Sequence, residues 1–168
     1  MRKVLCVAVL LVIMIGAVSG IATAKTLYVV AEDILSNDTQ TPADAFAVDV
    51  KLTTYNNQCM TLTFSAQASV AGGVTTATMG FAPTIDGIAV PPTLAGTTWW
   101  VNAEFDMWDT AGFMWQMCGL KIGRHAVRIK FFPEVGGNIA YVGPRILKID
   151  IKSGKIVPLV TGAESEDE

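Results

Sequence analysis

In the stretch Leu120-Lys-Ile-Gly-Arg-His-Ala-Val-Arg-Ile-Lys-Phe-Phe132, Val127, Ile129 and Phe131 are apolar, while Arg124, Arg128 and Lys130 take the even positions. A period of two is the pattern of a strand with one face buried. It is incompatible with a helix, whose apolar residues recur every three or four positions. Gly123 stands where the chain turns into this strand, and His125, at an odd position, falls on the buried side as a structural corner residue beside it. The longest alternation lies upstream, where Met60, Leu62, Phe64, Ala66, Ala68 and Val70 alternate with Thr61, Thr63, Ser65, Gln67 and Ser69. That segment predicts a strand with a hydroxyl-rich outer side. Phe46, Val48, Val50 and Leu52 repeat the pattern, as do Phe113, Trp115 and Met117.

The segments between these runs carry turn chemistry. Ile85-Asp-Gly-Ile88 predicts an Asp-Gly hairpin, ended by Pro91-Pro92. Val135-Gly-Gly-Asn138 predicts a turn that returns Ile139–Ile151 beside the preceding strand as a second hairpin. Glu32–Asp44 reads as loop, Thr97–Trp108 as strand, and Lys155–Val160 as a short edge strand that tolerates Pro158. No segment keeps a helical period. The expected fold is therefore all-β, an antiparallel two-sheet β-sandwich, with immunoglobulin-like and jelly-roll strand orders both open.

Arg2 and Lys3, the apolar run Val4–Val18 and the small residues of Ala22-Thr-Ala24 predict a signal peptide over residues 1–24, cleaved after Ala24. What remains is a single domain over 25–161 and a disordered acidic tail over 162–168. The expected location is secreted, extracellular or at the cell surface, with no stable membrane span after cleavage. Cys6 leaves with the signal, so Cys59 and Cys118 are expected to form one disulfide. Both have the parity of the less apolar strand face. This puts the bridge at the periphery, unlike the core-crossing bridge of antibody domains. Loss of Arg2 and Lys3 leaves ten Lys and Arg against 15 Asp and Glu, a charge of −5. Nucleic acid is not an expected partner for such a chain, because phosphate contacts need clustered cations.

Four segments resemble a widespread set of uncharacterised exported and phage-borne bacterial β-sandwich domains. They are Cys59–Ala68, Ile85-Asp-Gly87 followed by Pro91, Gly123-Arg-His-Ala-Val127, and Gly136-Gly137 leading to Arg145-Ile-Leu147. The resemblance implies an immunoglobulin-like or jelly-roll sandwich and carries no reaction, cofactor or ligand.

His125 is the only histidine, so a Ser-His-Asp arrangement or a His-rich metal site would have to be built around it. No nucleophile stands in an elbow motif, and no calcium-loop pattern occurs. Glu104, Asp106 and Asp109, with Asp86, are the best acidic group; the simplest reading is a solvated strand face. Asn37-Asp-Thr39 matches the glycosylation acceptor pattern and is expected to be unmodified. Trp99, Trp100 and Trp108 are the candidate interaction surface, since adjacent strand residues point to opposite faces and one of the first two rings must face outward. The sequence thus predicts a non-catalytic binding or structural module with no cofactor and no metal. Its expected partner is another protein, a second copy of itself or a glycan. The alternative is a carbohydrate-active or carbohydrate-binding sandwich using aromatic and carboxylate residues around Thr97–Asp109.

Overall fold

The computed structural model describes residues 25–72, 78–91, 98–101, 107–152 and 154–159, with backbone alone at positions 99–101. The expected signal peptide, the acidic tail, Glu104 and Asp106 lie outside the described residues. The strands are β1 (Thr26–Ala31), β2 (Leu35–Asn37), β3 (Ala43–Leu52), β4 (Gln58–Gly72), β5 (Thr78–Ile85) and β6 (Ile88–Ala89), then β7 (Thr98–Val101), β8 (Asp109–Leu120), β9 (Gly123–Pro133), β10 (Asn138–Ile151) and β11 (Ile156–Leu159). The protein is all-β, and among the described residues no helix is long and apolar enough to cross a membrane.

The strands form two antiparallel sheets. Sheet one has the order β1-β10-β4-β8, with β2 following β1 along the same flank of β10. Sheet two has the order β11-β3-β9-β5, with β6 and β7 sharing the far flank of β5. The alternating apolar residues of each sheet meet in one core. Phe64 of β4 lies 6.2 Å from Phe46 of β3 and 5.2 Å from Phe81 of β5, ring centre to ring centre, so contacts cross between the sheets at its middle. Trp115 stacks beside Phe64 and Phe113, and its indole N–H donates to Thr98 Oγ1 at 2.8 Å, which ties β8 to β7 of the other sheet. The fully buried Leu52, Met60, Leu62, Ile129, Leu147 and Ile149 fill the rest. Each contributes on the order of 2 kcal/mol by leaving water.

Consecutive strands rarely share a sheet. Only β1 to β2 and β5 to β6 to β7 stay within one, and every other step along the described strands passes to the opposite sheet. This corrects the hairpin expected at Val135–Asn138. The turn forms, with Asn138 N–H donating to Val135 O at 3.3 Å, but β3 and β5 occupy both flanks of β9. The chain instead crosses the core and β10 inserts between β1 and β4. The Asp86-Gly87 hairpin forms as expected, both residues having positive φ of 55° and 78°. β11 is the expected edge strand, with Pro158 opposite Val50. Two boundaries differ: β2 lies inside the expected loop 32–44, and Thr98–Val101 is the strand portion described within Thr97–Trp108.

β10 contains the one buried arginine of the described core. A register shift between Val142 and Arg145 reverses the parity of the strand, so Ala140 and Val142 face inward before it and Arg145, Leu147 and Ile149 after it. The Arg145 guanidinium donates to Ala45 O at 2.9 Å, Gly143 O at 3.2 Å, Asp33 O at 2.8 Å and Asp33 Oδ1 at 2.9 Å, and lies 5.3 Å from the centre of the Phe46 ring. Burial pulls its pKa below the ordinary arginine value, partly offset by the Asp33 carboxylate. Asn37 has a comparable role. Its amide donates to Thr41 O and Phe131 O while its Oδ1 accepts from Thr39, so the side chain of the glycosylation pattern is buried and engaged within the fold.

Candidate functional site

The residues singled out by sequence do not converge on one place. His125 is buried at the start of β9, where its Nδ1 meets Asp86 Oδ2 at 2.7 Å and its Nε2 meets Lys121 O at 2.8 Å. The other Asp86 oxygen accepts the Ala126 N–H at 2.8 Å, and Asp86 N–H donates to Ala126 O at 2.9 Å. Both ring nitrogens are committed to oxygen partners and no hydroxyl or thiol is among them. The arrangement therefore pins the β5–β6 hairpin tip to the corner that Gly123, at φ 141°, opens. We expect Asp86→Ala to cost about 1–3 kcal/mol in urea unfolding, because it strips acceptors from a buried imidazole and a strand N–H. A loss below about 0.5 kcal/mol would show that water replaces the carboxylate without cost.

Among the described residues no three His, Cys, Asp or Glu side chains gather as metal ligands. Cys59 and Cys118 form the disulfide. It joins the neighbouring strands β4 and β8 within sheet one, and Cys118 is exposed. The peripheral position follows from the parity that both cysteines share.

The three tryptophans separate. β7 runs along β5 in sheet two, with Trp99 opposite Gly80 and Trp100 opposite Met79; the two side chains lie outside the described residues. Trp108 belongs to the outer face of sheet one. Its ring lies over Gly143, where an added Cβ would come within 3.1 Å of the indole, and its centre is 6.4 Å from the Tyr141 ring. It remains 44% exposed.

That outer face is a regular array. Across β1, β10, β4 and β8 the rows read Thr26, Asp150, Thr61, Gln116; then Tyr28, Lys148, Thr63, Met114; then Val30, Ile146, Ser65, Gly112. Beyond them Gln67 stands opposite Thr110, and Tyr141 lies between Ser36 and Ser69. Met114 is 67% exposed, Tyr28 58% and Ile146 46%. The only charged groups in these rows, Lys148 and Asp150, pair with each other at 2.7 Å, and Thr26 donates to Asp150 at 2.5 Å. Partial burial alone would raise the Asp150 carboxyl; the hydrogen bonds from Lys148 and Thr26 outweigh it and hold its pKa below the ordinary value. Gln116 donates to Thr61 at 3.1 Å. A depression lined by Thr61, Pro91, Met114, Trp115 and Gln116 borders the array at β8, where Gln116 N–H donates to Pro91 O.

Sheet two presents the opposite chemistry to solvent. Its outer rows carry Asp44, Asp49, Lys51, Arg124, Arg128 and Lys130, with Asp49 bonded to Arg128 at 2.9 Å and 3.6 Å from Arg124. Sequence reading identified Trp108 but not Tyr28, Val30, Ile146 or Met114. The available signal was the interruption of alternation at Val29-Val30 and Ile146-Leu147, where both faces of a strand are apolar. Comparison with known proteins finds no family model that matches this chain, no curated protein that matches it and no solved structure that matches it.

Proposed function

We propose that the chain is an exported, non-catalytic jelly-roll β-sandwich that acts by binding, with the outer face of sheet one as its working surface. The observation that carries this reading is the contrast between the two outer faces: one bears six charged side chains, the other an internally paired Lys–Asp couple among exposed apolar and hydroxyl groups. An exposed apolar cluster of this kind on one face marks an interaction site. Passage of seven of the ten connections among the described strands between sheets supports the jelly-roll order, since an immunoglobulin-like sandwich keeps several consecutive strands as sheet neighbours. The disulfide and the N-terminal charge and apolar pattern support export.

The test compares Ile146→Lys on sheet one with Arg124→Glu on sheet two, reading self-association, glycan-array binding and turnover of a glycoside and ester panel. Associations of the parent are expected to be lost with Ile146→Lys and kept with Arg124→Glu, with no turnover by any form. The reverse pattern would move the working surface to sheet two, and turnover abolished by Glu104→Gln or Asp106→Asn would make the protein an enzyme.

A second reading, glycan binding, is favoured by the Trp108–Tyr141 pair beside the exposed amide of Gln67. Aromatic faces bordered by neutral amides and hydroxyls suit neutral sugars. Trp108→Ala should then lower any glycan signal by about tenfold, and an unchanged signal would end this reading.

A further inference from the structure

We infer that the occupant of the outer face of sheet one is a second copy of this chain. The inference rests on the working surface proposed above and adds the identity of its partner. Charge is the first argument. With 15 Asp and Glu against ten Lys and Arg once Arg2 and Lys3 are gone, two copies carry like net charge and repel at long range. The rows from Thr26 to Val30 carry no net charge, because Lys148 and Asp150 neutralise each other within one chain. A copy of this face meets no opposing field there, and the like-charge contacts that two sheet-two faces would make are avoided.

Area is the second argument. Four strands about 4.8 Å apart give a width of about 19 Å, and the ten residues from Tyr141 to Asp150 at about 3.3 Å each give a length of about 30 Å. Two such faces bury roughly 1,100 Å² before side-chain relief is counted, which clears the roughly 1,000 Å² that a specific interface needs. The composition also fits a self-facing surface. Tyr28 and Val30 on β1, with Ile146 beside them on β10, supply an apolar cluster at one side and Met114 on β8 an apolar contact at the other, while Thr61, Thr63, Ser65 and Gln116 are neutral groups able to hydrogen-bond their counterparts across an isologous contact.

The experiment measures the solution mass of the exported, oxidised protein by sedimentation across a range of concentrations, with Ile146→Lys and Arg124→Glu in parallel. The expected result is an oligomeric parent, an unchanged Arg124→Glu variant, and self-association weakened by about 30-fold or more in Ile146→Lys, the scale of a central interface residue. Should Ile146→Lys fail to fold, Ser65→Cys, exposed at the middle of the face, is expected to give a covalent dimer with a short bis-maleimide, while Thr84→Cys on sheet two gives none. A parent that stays monomeric throughout overturns the inference, as does an oligomer that both charge variants leave intact. A monomeric parent whose glycan binding is lost in Ile146→Lys overturns the self-partner and leaves the working surface standing.

Discussion

Removing the Cys59–Cys118 bridge is expected to lower the free energy of unfolding by about 4 kcal/mol in the chain-entropy account, because the bridge closes a loop of 59 residues. The native contacts do not set this figure. The bridge lies on the outer side of sheet one and joins strands already paired from Met60 to Ala68, so the folded state changes little when it is cut. The unfolded chain changes most, since two points brought together by covalent bonding become free to separate. Urea unfolding of the oxidised protein and of a Cys59→Ser, Cys118→Ser variant measures the difference. A loss near 4 kcal/mol, about a third to most of the stability of an ordinary domain, agrees with the account. A loss below about 1 kcal/mol would mean that the unfolded chain already holds β4 and β8 close together.

Arg145→Met is expected to cost about 3 kcal/mol or more, the range for breaking a buried ion pair by removing one partner. The thioether chain fills part of the volume yet donates nothing to Ala45 O, Gly143 O, Asp33 O and the Asp33 carboxylate. Three of these four acceptors are backbone carbonyls. Asp33→Asn should therefore cost far less, about 1 kcal/mol, because it leaves the carbonyl bonds in place. Denaturant unfolding of both variants separates the contributions. Equal losses would show that the charge pair, and not the bonding of three backbone segments, is what Arg145 supplies.

The position of Arg145 also shows where sequence reading reaches its limit. Alternation identified β3, β4, β8 and β9 because a half-buried strand must repeat every two residues, and the Asp-Gly turn was legible because few residue pairs tolerate two positive φ angles. In β10 the pattern changes phase at Gly143-Pro144, and an arginine that looks exposed by simple counting becomes buried. Sheet membership was hidden for a different reason. A strand buried from above and one buried from below show the same alternation, so Val135-Gly-Gly-Asn138 could serve a hairpin or a crossing equally well. The face proposed for interaction was legible only at Trp108. Tyr28, Val30, Ile146 and Met114 come from three strands far apart in sequence, and only the pairing of β1 with β10 and of β10 with β4 and β8 beyond it puts them on one face.

The pairing of Thr26 with Asp150 and of Ala31 with Arg145 has a consequence for the order of events during synthesis. β1 finds its partner only after more than a hundred further residues have been made. β4 likewise waits for β8 and β10, and β3 for β9. A nascent chain of this kind has almost no local structure in which to settle, and folding begins when its last third is available. Under the export proposed above, such a polypeptide would stay threadable during its passage across a membrane and acquire its compact form, with its covalent cross-link, on the far side.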